Sequence, residues 1–285
     1  MIPLLFDGVV LGLQFSLLAV GLTLIFGLGG ILNLAHGHFA VIAGIATALL
    51  IGAGVTAPLA ALLGILMAGL FALVIDRSLM LPAYRYKGES RLLLGLMLTL
   101  GLSLMVTGLL NFRFPQTALS LSLPVVSVVI FGVTVRTASI IVASVSLLAI
   151  LSLLAFLRST ALGKAVRSVV QNEIGAELCG IDPRRIRTLI FVLGGLMAGL
   201  AGVAQGLSSA VGPEQGMELT IMALIVATVG GVRSINGTLA AGVLLGVVNA
   251  FASFYIGAYL TSIILLVIAA LTILVRPEGL LGNLA

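Results

Sequence analysis

The chain has 285 residues, of which 61% are hydrophobic and only 8% charged, with a mean hydropathy of +1.32. Soluble domains carry about 25% charged residues, so a soluble globular protein is excluded. The formal net charge of +5 is assigned below to loops beside anionic lipid, which removes the case for nucleic-acid binding.

Gly8 to Ile75 contains no Asp, Glu, Lys or Arg. At about 1.5 Å per residue it holds roughly 100 Å of helix, against a hydrocarbon core of about 30 Å. The run therefore predicts three crossings, with Asp7 and Asp76 on opposite sides. The first residues lack a basic n-region and a small-residue cleavage site, so the first apolar segment is expected to remain as a span. The predicted spans are 8–30, 38–52, 60–76, 92–110, 137–157, 188–208, 217–232, 238–256 and 261–276. That makes nine, or eight if one of the short segments 38–52 and 217–232 does not cross. The fold class is an all-α, polytopic transmembrane helical bundle, read as one transmembrane domain over 1–285 with no second domain.

Phe114–Val135 is charge-free but holds Pro115, Pro124 and several Ser and Thr, and its end is short and β-branched. It is read as an extended external loop. Arg77, Arg85, Lys87 and Arg91 then share one side with Arg158, Lys164, Arg167, Arg184, Arg185 and Arg187, as the positive-inside rule requires. This places the N-terminus outside and the C-terminus in the cytoplasm. Cys179 falls in the second basic loop and has no internal partner.

Gly195-x-x-x-Gly199 and Gly242-x-x-x-Gly246 have the spacing that lets helices approach closely in lipid. Packing within the subunit is the first reading and packing against a second subunit the other. Two glycine-rich segments, 27–37 and 230–237, interrupt spans, each after a crossing toward the cytoplasm. Such breaks in two halves can mark a substrate path, with Asn33, His36, Gly37 and Asn236 as pathway or gate candidates. A polar cluster that caps and packs a broken helix is the plainer alternative.

No P-loop is present: the one Gly-Lys pair, Gly163-Lys164, is followed by Ala165. There is no H-E-x-x-H, no nucleophilic constellation and no metal-ligand set, so the chain reads as a non-enzyme without cofactor. No interior span position carries a carboxylate; Glu214 and Glu218 come nearest, at the outer end of span 217–232. Proton- or sodium-driven carriers usually keep ionisable groups at membrane depth, so any transport is expected to be powered elsewhere.

In the loop Gly163–Arg187, Val166, Val169, Val170, Ile174 and Leu178 form an apolar stripe expected on one short helix. Gly180 suits the αL position closing it, Asp182 an N-cap and Pro183 the first turn of the next span. The helix is either a membrane-surface element or a peg for a cytoplasmic partner.

Several motifs resemble those of branched-chain amino-acid ABC transporter permeases. They are Gly21-Leu-Thr-Leu-Ile-Phe-Gly27 with Ile31-Leu-Asn-Leu-Ala-His-Gly37, and Ala165-Val-Arg-Ser-Val-Val-Gln-Asn172 with Leu178-Cys-Gly-Ile-Asp182. Phe191-Val-Leu-Gly-Gly-Leu-Met-Ala-Gly-Leu-Ala-Gly202 and Arg276-Pro-Glu-Gly-Leu-Leu-Gly282 complete the set. The resemblance spans about residues 8–282. It implies the smaller of two pore subunits in a bacterial plasma-membrane importer, paired with a second permease, two cytoplasmic ATPases and a periplasmic or extracellular solute-binding protein. It also implies a coupling loop using Gly163, Arg167, Gln171, Glu173, Gly175, Glu177, Gly180, Asp182, Pro183 and Arg184. Where such families often carry Glu-Ala-Ala, this chain has Ile174-Gly-Ala176. The implied cargo is branched-chain or other apolar amino acids, with urea or short amides as the alternative and a stand-alone facilitator channel as a competing mechanism.

Overall fold

The computed structural model describes residues 1–28, 30–86, 88–115, 117–121, 127–130 and 133–281. Gly29, Lys87, Pro124 and Gly282, used in the sequence reading, lie outside them. The described chain is helical, with one small hairpin. Helix α1 spans Ile2–Thr23 and ends in a π-helical turn, Leu24–Leu28. Helix α2 is His36–Gly52. Helix α3 is Ala57–Ile75, extended by a second π turn, Asp76–Met80. Helix α4 is Glu89–Arg113. Strands β1 (Ser127–Ile130) and β2 (Val133–Arg136) pair antiparallel, with Ser127 opposite Arg136. There follow α5 (Thr137–Ser159), α6 (Ala161–Gln171), α7 (Glu173–Leu178), α8 (Pro183–Ser208), α9 (Gln215–Gly230), α10 (Ile235–Ile256) and α11 (Ala258–Val275).

Among the described residues, seven helices are long and apolar enough to cross a membrane, and α2 and α9 are shorter apolar helices. Each coincides with one predicted span, and the extended loop reading of Phe114–Val135 accords with the β-branched hairpin inside it. Asp7, expected as a flank, instead sits in the second turn of α1.

The buried side chains are concentrated on α1, α2, α8 and α9, while α4, α5, α10 and α11 expose most of their apolar surface, as lipid-facing helices do. The glycine pairs resolve as packing within the subunit. Gly8 and Gly12 of α1 meet Val247 and Val243 of α10, where a Cβ on Gly12 would lie 2.6 Å from the Val243 Cα. Gly195 and Gly199 of α8 seat Ala72 and Ala68 of α3. In lipid, close van der Waals packing replaces the hydrophobic effect as the force holding helices together.

The connections sort into two faces. At one, the basic face, the π turn of α1 meets Val232, and Leu280 N–H donates to the Val229 carbonyl. At the opposite face Leu119 bridges to Val211, and Leu121 N–H donates to the Gly206 carbonyl.

Candidate functional site: a broken helix and a basic-face peg

The segment between α1 and α2 turns back into the bundle. Leu34 N–H donates 3.0 Å to Thr99 Oγ1 of α4, and Asn33 Oδ1 accepts from Ala35 N–H at 2.9 Å. His36 Nε2 lies 3.0 Å from the Leu18 carbonyl of α1. Leu18 is about 15 Å along the helix from Leu28, half the thickness of a hydrocarbon core. Gly37 N–H donates 2.8 Å to Thr220 Oγ1 of α9, again about 15 Å from that helix's end at Gly230. Helix α2 therefore begins near mid-membrane. Its first turn lies beside the first turns of α9, where Gly216 packs on the His38 ring. A side chain at Gly37 would overlap the Gly216 carbonyl, so only glycine permits this approach.

Backbone freed by the break must be satisfied within the protein, because lipid offers no partners. Helix α4 supplies such partners through Thr99, which accepts from Leu34 N–H and donates to the Leu32 carbonyl, and adds side-chain contacts beside them. Its Thr99, Ser103, Thr107 and Asn111 recur every four residues along one face. Besides the Thr99 contact, His38 Nε2 lies 2.8 Å from Thr107 Oγ1, and Asn111 donates to Glu214. Asn33, His36 and His38 are fully buried. Asn33 Nδ2, His36 Nδ1 and His38 Nδ1 have no hydrogen-bond partner among the described residues. Asn236 is not part of this cluster: it is exposed at the start of α10, on the basic face beside Arg158 and Gln171.

The loop between α5 and α8 differs from its sequence reading in one respect. The apolar stripe does not lie on a single helix but is divided at Asn172. Asn172 leaves helical geometry (φ −154°, ψ 101°), and its Oδ1 accepts from Gly175 N–H at 2.9 Å, capping α7. An N-cap residue adopts extended backbone so that its side chain reaches the third amide ahead, which ends α6. Val166 and Val169 of α6 are buried against the bundle, whereas Ile174 and Leu178 of α7 are 64% and 84% exposed. Gly163 packs against the Leu157 carbonyl, to which Arg167 also donates. Gln171, Glu177 and Arg184 point into solvent.

The end of α7 matches its predicted chemistry. Gly180 has φ +81°; its N–H donates to Glu177 O at 2.9 Å and Ile181 N–H to Ala176 O at 3.0 Å. That bond pair is the Schellman closure. Asp182 Oδ1 accepts from Arg184 N–H at 2.9 Å, and buried Pro183 opens α8.

One polar chain ties α7 to the bundle. Glu173 Oε2 lies 2.5 Å from Arg187 Nη2 of α8, and the Arg187 guanidinium lies 5.3 Å from the Tyr84 ring centroid. Tyr84 donates 2.6 Å to Asp76 Oδ1, and Thr188 donates 2.6 Å to Asp76 Oδ2. Asp76 is 2% exposed and Arg187 5%. Burial, and then the neighbouring Asp76 charge, push the Tyr84 phenol well above its usual range, so it stays protonated and donates. Sequence reasoning missed Asp76, Tyr84, Arg187 and Thr188. The available signal was a charge at each border of an apolar run, which also fits ordinary flanking residues. It likewise missed the α4 stripe, although its four-residue spacing is visible in the sequence from Thr99 to Asn111.

A family model described as branched-chain amino acid transport system, permease component, matches residues 4–275. The chain is 30% identical to the high-affinity branched-chain amino acid transport system permease protein LivH of Salmonella typhimurium, over 98% of this chain and 94% of that protein. It is also 30% identical to the corresponding permease protein BraD of Pseudomonas aeruginosa, over 98% and 95%. Among solved structures, it resembles a chain of PsaBC from Streptococcus pneumoniae in complex with Fab. The TM-score there is 0.52 at 16% identity, covering 98% of this chain and 94% of the other, a likeness of fold alone.

Proposed function

The chain belongs to the branched-chain amino acid transport permease family, and from that premise we propose that it is one pore subunit of an ATP-driven importer of branched-chain or other apolar amino acids. The basic face lies in the cytoplasm, where positively charged loops are retained. The chain pairs with a second permease subunit. Two cytoplasmic ATPases supply energy and a solute-binding protein delivers cargo to the opposite face.

The observation that carries this reading is α7. Ile174 and Leu178 stand exposed on the basic face, off the buried side of α6. The helix is closed at both ends by its own caps and tied inward by Glu173. A short, capped, apolar projection is suited to enter a groove on a partner. No nucleotide-binding motif exists in this chain to make it self-powered. Asn33, His36 and Gly37 serve in this reading to close and support the broken helix, because all three are buried and hydrogen-bonded.

Reconstitution with the second permease, the ATPases and the binding protein tests the proposal. Leucine-loaded binding protein should stimulate ATP hydrolysis. Ile174→Asp and Leu178→Asp should abolish stimulation and co-purification of the ATPases while the two permease subunits remain paired. Normal stimulation in both variants would remove α7 as the coupling element, and leucine uptake without ATPases would favour a facilitator.

A further inference from the structure

Where the end of α1, the starts of α4 and α8, helix α6 and the α9–α10 turn converge, the basic face holds a cavity of about 430 Å³. Small-molecule sites run from about 300 to 1,000 Å³. Among the described residues, three arginines line it, Arg91, Arg187 and Arg233, against one carboxylate, Glu173. Glu173 and Arg187 are already committed to each other through Oε2 and Nη2. Arg91 donates its Nε to the Tyr86 carbonyl at 2.8 Å. Neither Arg91 nor Arg233 has an acidic partner among the described residues. Glu173 also acts on Arg91 through space, yet three guanidinium groups against one carboxylate leave a net positive cavity that favours an anion, and guanidinium suits a carboxylate in bidentate geometry. The remaining wall is apolar, with Phe26, Leu92 and Val232.

We infer that this cavity binds an apolar α-amino acid from the cytoplasmic side. Its carboxylate lies between Arg91 and Arg233, its ammonium on the free Oε1 of Glu173, and its aliphatic side chain against Phe26, Leu92 and Val232. The inference rests on the cargo class and orientation proposed above. Glu173 favours a zwitterion here because its second carboxylate oxygen can accept from an ammonium, a donor that inorganic phosphate lacks. An occupant touches α4, α6, α8 and the first residue of α7 at once. It therefore fastens the peg to the bundle and brakes the next transport cycle as imported amino acid accumulates.

Binding of radiolabelled L-leucine to the assembled complex in nanodiscs, without the binding protein, tests this. Saturable binding is expected, weakened at least about tenfold by Arg91→Gln or Arg233→Gln, the loss of one charge-assisted hydrogen bond. Leucinamide, which lacks the carboxylate, should compete at least about tenfold less well on the same ground. Leu92→Trp keeps every charge and should abolish binding by filling the cavity. Leucine on the cytoplasmic face should lower stimulated ATP hydrolysis in wild type, and Leu92→Trp should lose that inhibition. The inference is overturned if leucinamide competes as well as leucine, if all three variants bind normally, or if phosphate or anionic lipid displaces leucine. A wild-type complex that imports leucine but binds none at this cavity sinks this inference alone. One that imports no apolar amino acid sinks the proposed function.

Discussion

Replacing Glu173 with Gln tests whether α7 is held through charge. The Glu173–Arg187 contact is 2.5 Å, and the Arg187 side chain is 6% exposed while that of Glu173 is 39% exposed. At an effective dielectric of about 20, two charges about 4 Å apart attract by about 4 kcal/mol. Solvent at Glu173 screens part of that. Breaking a fully buried pair costs about 3–5 kcal/mol and an exposed one about 0–1. A half-exposed pair falls between them, at about 2 kcal/mol. Arg187 keeps its place over Tyr84, so the variant should insert and assemble. The assay is a double-mutant cycle of Glu173→Gln and Arg187→Gln, read by reversible unfolding in mixed detergent micelles, beside binding-protein-stimulated ATP hydrolysis. The expected coupling energy is about 2 kcal/mol, with stimulation falling in each single variant and no further in the double. A coupling energy below about 0.5 kcal/mol with full stimulation would refute the role of this pair.

At Gly180, φ is +81° and no atom lies within 4 Å of an added Cβ, so a side chain there acts through backbone strain alone. Gly180→Val should cost about 1–3 kcal/mol and reduce stimulated ATP hydrolysis, while Gly180→Asn, which tolerates this conformation, retains most of it; equal loss in both would point to a steric cause. His36→Gln can keep a donor toward the Leu18 carbonyl, whereas His36→Ala removes it. Uptake by reconstituted vesicles should therefore survive the first and fall in the second, and loss in both would assign His36 a role beyond support. A cysteine at exposed Ser120, in a Cys179→Ser background, should react with an impermeant maleimide from the outside only. Reaction only from the cytoplasm would invert the proposed orientation.

Composition and charge placement alone determined that this is a polytopic helical membrane protein, because lipid demands long apolar helices and excludes charge from them. The same physics set most span ends closely, though α1 begins at Ile2 and α8 at Pro183, ahead of the predicted 8 and 188. Asp182, Pro183 and Gly180 were legible because caps and closures are local, each residue acting on backbone two or three positions away. Tertiary structure alone decided the rest. The apolar stripe of 166–178 has one period, yet Asn172 divides it, so Val166 and Val169 face the bundle and Ile174 and Leu178 face solvent. Asn236 and His36 sit in similar glycine-rich breaks but lie on different levels of the bundle, because only the first break turns back to mid-membrane. Asp76, Tyr84, Glu173 and Arg187 are far apart in sequence. They form one chain only because α3, α7 and α8 end at the same face, and no pattern along a single helix records which ends will meet.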